Sequence, residues 1–95
     1  IWQTKTGAYT ALAGDQLFVN TSSSAFTITL PLSPSSGDEV RFLDLANTFD
    51  TNNLTVGRNS QKIDGTAADL TVATEGAAFS LVYSGSTYGW KLMEK

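Results

Sequence analysis

The chain has 95 residues, 41% of them hydrophobic and 16% charged, a composition that suits one packed domain and not a disordered chain. A formal net charge of −3 and a pI near 4.5 provide no cationic field for a phosphate backbone or an anionic bilayer, so neither nucleic acid nor membrane is an expected partner. With no cysteine and no histidine, there are no disulfides, no thiolate or imidazole metal sites, and no Ser-His-Asp or Cys-His catalysis.

The sequence opens on Ile1 and has its single methionine at Met93, the pattern expected of a piece of a longer protein. On that reading, residues 1–8 are an N-terminal linker and residues 9–95 form the module. No apolar run approaches the roughly 20 residues that a membrane-spanning helix needs.

From there the hydrophobic period is two almost throughout. QLFVN puts Leu17 and Val19 on one face, and AFTITL puts Phe26, Ile28 and Leu30 on one face with Thr27 and Thr29 on the other. Pro31 and Pro34 then mark a loop, because proline cannot donate to a strand ladder. EVRF resumes the alternation with Val40 and Phe42. After the polar run NTFDTNN come two copies of LTV, at 54–56 and 70–72, each with Leu and Val on one side and Thr on the other. FSLVY aligns Phe79, Leu81 and Tyr83, and WKLM aligns Trp90 and Leu92. Short strands separated by Gly, Asn, Asp and Ser turns predict an all-β fold, an antiparallel β-sandwich of jelly-roll type or a small barrel, in a single domain.

Two internal echoes stand out: GDQLFV at 14–19 against GDEVRF at 37–42, and NLTV at 53–56 against DLTV at 69–72. Each is short enough to arise from repeated turn-and-strand grammar, and a solenoid would require three or more copies.

No other segment collects as many polar side chains that could do chemistry as the stretch from Asn52 to Val72. Arg58 and Asn59 could together grip a carboxylate or a sugar hydroxyl. The alternative is structural: GRN supplies a left-handed or bulge position, Ile63 a buried anchor and Asp64-Gly65 a turn. Asp44, Asp50 and Asn52 offer oxygen ligands but lack the glycine and terminal glutamate of a calcium loop, so no metal and no cofactor is expected. No carboxylate is embedded in an apolar run that would raise its pKa for acid catalysis. Near the C-terminus, Tyr88 and Trp90 lie two apart and on one strand would share a face, a platform that could stack on a sugar ring or fill a subunit interface.

The run YTALAGDQLFVNTSSSAFTITLPLSPSSGDEVRFLD, with NNLTVGRNSQKIDG, DLTV and LVYSGSTYGW after it, resembles a module that recurs in tail-fibre and other virion structural proteins of tailed bacteriophages, those of marine cyanobacteria included. The resemblance extends from Tyr9 to Trp90. It implies a non-enzymatic, β-rich building block on the exterior of the virion, in fibres that assemble as homotrimers beside other phage structural proteins. A capsid decoration or cement domain is the variant reading. A module that recognises host-surface glycans through Tyr88, Trp90, Arg58 and Asn59 is the alternative from a different class. In the trimer, an apolar strip drawn from Phe18, Phe49, Tyr88 and Trp90 is expected to meet its symmetry mates.

Overall fold

The computed structural model describes residues 2–94. Among them there is no helix. Nine strands build two facing sheets: β1 (Trp2–Lys5), β2 (Tyr9–Thr10), β3 (Gln16–Val19), β4 (Phe26–Thr29), β5 (Glu39–Asp44), β6 (Leu54–Gly57), β7 (Leu70–Val72), β8 (Ala78–Tyr83) and β9 (Trp90–Glu94). The first sheet, A, has the order β1-β3-β5-β8-β9, and the second, B, the order β2-β4-β6-β7. The all-β, two-layer architecture is the one that the period-two alternation implies.

Strand sense departs from the antiparallel expectation. The chain crosses from one sheet to the other at every step from β1 to β6, so each strand returns to its own sheet running in its original direction. β1 and β3, β3 and β5, β2 and β4, and β4 and β6 are therefore parallel pairs. Antiparallel pairing begins only with the last strands, β6 with β7, β5 with β8, and β8 with β9. The sheets are mixed, and the small-barrel alternative is not realised, because β1 and β9 leave sheet A open and β2 and β7 leave sheet B open.

Residues 2–5, assigned from sequence to a linker, form β1 and pair along β3 from Trp2↔Gln16 to Lys5↔Val19. Their pattern, WQTK, has one large apolar residue. Nothing in it signals a strand, and what fixes it is the exposed edge of β3 together with the Trp2–Phe18 ring stack, 4.9 Å between centroids and 13° apart in plane.

The core lies between the sheets. Sheet A contributes Leu17, Val19, Val40, Phe42, Leu81 and Trp90; sheet B contributes Ala11, Ile28, Leu30, Leu54 and Val56, all essentially inaccessible to solvent. Phe42 and Phe79 stack across β5 and β8 at 4.9 Å. Loops close the ends with Phe49 and Ile63, both buried.

The two echoes now have a geometric meaning. β3 and β5 are neighbours, and both are entered through the same turn: Asp15 accepts the Leu12 amide at 2.9 Å and Asp38 accepts the Ser35 amide at 2.8 Å, with Gly14 and Gly37 at positive φ. Their pairing is nevertheless out of step with the echo, since Leu17 lies beside Phe42 and not beside Val40. The two LTV strands pair antiparallel, Leu54 with Val72. Turn chemistry recurs here without a fixed structural period.

Candidate functional site

The segment following β6 folds back on itself and then docks on the start of β9. Asn59 and Ser60 take positive φ of 50° and 71°, which turns the chain out of sheet B. Ile63 and Thr66 exchange backbone hydrogen bonds of 2.9 and 3.0 Å around Asp64 and Gly65, whose φ values of 54° and 81° are those of a tight Asp-Gly hairpin turn. This turn is the one expected from sequence, and Ile63 is the anchor beneath it, 5% exposed.

The docking is done by backbone. Trp90 N donates to Lys62 O at 2.8 Å, Asp64 N to Trp90 O at 2.7 Å and Gly65 N to Tyr88 O at 2.8 Å. Side chains add to it: the Tyr83 hydroxyl donates to Gln61 Oε1 at 2.8 Å, and Lys91 pairs with Asp64 at 2.8 Å in a largely solvated ion pair that contributes little. The loop richest in candidate ligand groups is thus a strap holding β9 to the body of the domain.

Arg58 and Asn59 are adjacent, but the Asn59 amide is committed within the chain and the Arg58 guanidinium makes one long internal contact. Arg58 N donates to Asp69 Oδ1 at 3.0 Å and its guanidinium reaches Gln61 O at 3.4 Å, while Asn59 Nδ2 donates to Leu30 O at 2.9 Å. The Asn59 amide therefore satisfies a carbonyl just past the end of β4, where a sugar hydroxyl would have to compete with it.

Tyr88 and Trp90 do not share a face. The two-apart rule holds only while the intervening residue is extended, and Gly89 sits at φ 71°. Tyr88 is left in solution at 62% exposure, whereas Trp90 turns fully inward against Tyr83, with ring centroids 5.3 Å apart. No aromatic platform forms. Phe49 is also fully buried, so neither it nor Trp90 can belong to a strip that meets another subunit.

Two carboxylates organise the loops: Asp44, weighed from sequence only as an oxygen ligand, and Asp15, which sequence reasoning did not single out. Asp44, 3% exposed, accepts the amides of Thr48 at 3.1 Å and of Phe49 and Gly76 at 3.0 Å, tying the loops after β5 and β7 together. Asp15 accepts from Gln3 Nε2 at 3.2 Å and from the Tyr9 hydroxyl at 2.8 Å, in addition to the Leu12 amide. The hydrogen bond to Asp15 first, then burial and the carboxylate charge, raise the Tyr9 phenol above its usual 10.0. The available sequence signal for Asp44 was an aspartate closing a strand ahead of an Asn-Thr turn, a common local bonding pattern.

Between β7 and β9 the sandwich gapes into a cleft of about 430 Å³, lined by Leu70, Val72, Ala77, Phe79 and Leu92, with Glu75 as its charged residue among those described. Among the described residues no cluster of acidic side chains is placed to hold a metal ion. Asp15, Asp38 and Asp44 use their carboxylates to hold turns and loops. No family model matches the chain, and no curated protein matches it.

Proposed function

We propose that this chain is a non-enzymatic building block on the exterior of a bacteriophage particle, a homotrimeric module of a tail fibre or other surface appendage that assembles with other phage structural proteins. The observation that supports this reading is the internal use of the polar groups best suited to chemistry. Asn59 serves Leu30, Arg58 serves Gln61, and Asp44 serves three backbone amides. A domain built this way offers rigid faces for packing in place of a reactive cleft. Self-association also suits the size of the domain, because one this small without disulfides gains stability by burying further apolar surface against copies of itself.

Capsid decoration is the same reading at another place on the particle. Glycan recognition has one observation in its favour, the exposed ring of Tyr88 beside the Asp64-Gly65 turn, but it has lost Trp90 to the core. The reading is tested on particles of the phage that encodes the chain. Antibodies against the chain are expected to label their surface in electron micrographs, and light scattering on the chain is expected to approach the mass of a trimer as its concentration is raised. Protein that stays in the soluble lysate and never co-purifies with particles would overturn it.

A further inference from the structure

The outer faces of the two sheets differ sharply in chemistry. On sheet B, Thr10, Thr27, Thr29, Thr55 and Thr71 alternate with the core residues and point outward, a hydroxyl-covered face suited to water. On sheet A, paired residues share a face, so the register carries Trp2, Gln16, Arg41 and Met93 across in one outward row, with Ser80 between Arg41 and Met93 covered at 3% exposure. A second row runs Thr4, Phe18, Leu43, Ala78, and a third Glu39, Val82, Lys91. Half of these positions are apolar. Trp2 is 38% and Met93 48% exposed, and Phe18, Leu43 and Val82 are only partly covered.

We infer that the outer face of sheet A is where copies of this chain meet, turned toward one another about a shared axis, with Trp2, Phe18, Leu43, Val82 and Met93 at the contact. The inference rests on the self-associating reading above and adds the surface that performs it. Charge on the face suits a second copy. Arg41 is paired with Glu39 at 3.3 Å, so the middle of the face carries no net charge to repel its like, and Lys91 is held at the β9 edge by Asp64. The area limits the contact to a weak and reversible one. Five strands about 4.8 Å apart and some five residues long give a flat face on the order of 300–400 Å², against about 800 Å² per partner in a standard stable interface. Association is therefore expected to depend on concentration.

The test combines charge insertion with cross-linking on the full 95-residue chain. Met93→Lys and Val82→Lys place unpaired charges at the contact and are expected to weaken self-association by about tenfold or more in sedimentation equilibrium, whereas Thr55→Lys on sheet B leaves it unchanged. Circular dichroism checks that the variants fold. Because the chain has no native cysteine, Met93→Cys and Thr55→Cys give a second readout that needs no charge in the sheet: the first is expected to oxidise to a covalent dimer well ahead of the second. An oligomer indifferent to the sheet A lysines, or one that Thr55→Cys cross-links first, overturns this face and leaves the self-associating reading standing. A monomer at every concentration overturns both.

Discussion

Gly89 determines what the C-terminal end of this domain can be. Its positive φ separates the directions of Tyr88 and Trp90, and its missing side chain lets the strap approach: a Cβ there would collide with the carbonyl of Lys62 and come within 2.8 Å of its Cα. Backbone cannot swing aside as a side-chain tip can, so Gly89→Ala must break the Trp90–Lys62 hydrogen bond as well as strain the turn. A loss of about 3 kcal/mol or more is expected in urea denaturation. Gly14 has a similar φ of 87° but open space around it, so Gly14→Ala should cost only about 1 kcal/mol. Equal losses at the two positions would show that the close approach at Gly89 contributes nothing. Tyr9 gives a second residue-level expectation. Its phenol titrates above 10.0 in the folded protein because its hydroxyl donates a hydrogen bond to Asp15, with burial and the Asp15 charge adding to the shift, so the unfolded chain deprotonates first as pH rises. The hydrogen bond therefore contributes in full below pH 10 and is lost as pH climbs through the raised value. Thermal melts of wild type and Tyr9→Phe should differ at neutral pH and converge in strong alkali.

At the scale of elements, the sequence discloses faces well and directions poorly. The strands with two or more apolar residues in alternation, β3 to β9, are legible because half-burial imposes their period of two. The Asp64-Gly65 turn is legible because few residue pairs accept two positive φ values in succession. Parallel winding is not legible, since a connection of several residues can either reverse into the next strand or cross the roughly 10 Å to the opposite sheet, and both need the same turn residues. β1 is hidden for another reason: it is an edge strand whose stability comes from β3 and from the Trp2–Phe18 stack, and neither is visible in its own four residues. Of the candidate site, the exposure of Tyr88 and the burial of Trp90 turn on one glycine dihedral, which spacing alone cannot supply. The status of β1 is open to direct measurement. If residues 1–8 were only a linker, removing them would leave stability unchanged. As the strand that covers β3, their removal is expected to cost about 1–3 kcal/mol in denaturant, from the lost ladder and ring stack. An unchanged midpoint would return β1 to the status of a tether.

The whole molecule is wound, and that has a kinetic consequence. In a meander, each strand finds its partner a short turn away. Here β3 must wait for β5, 25 positions on at Gln16↔Arg41, while β4 forms on the opposite sheet in between. The core cannot close until the chain has passed back and forth between the layers, because Leu17 and Val40 of sheet A face Ile28 and Leu54 of sheet B, and none of these is shielded without the others. Loop-closure entropy must therefore be met for several long-range pairings before apolar burial repays it. Refolding from urea is expected on the order of milliseconds to seconds, as for other β topologies dominated by non-local pairings, and not in microseconds. The C-terminal hairpin β8–β9 is the local exception, joined by residues 84–89 alone. It is the element able to form early, and it also carries Trp90 and Tyr83, whose rings meet only when the hairpin is in register. Truncating Trp90 to Ala should accordingly destabilise the monomer by about 3–5 kcal/mol and slow refolding, whereas Val56→Ala on β6 should act mainly on the unfolding rate. Stopped-flow fluorescence separates the two. If both substitutions act only on unfolding, the hairpin is not part of the folding nucleus, and the winding of the parallel strands comes first.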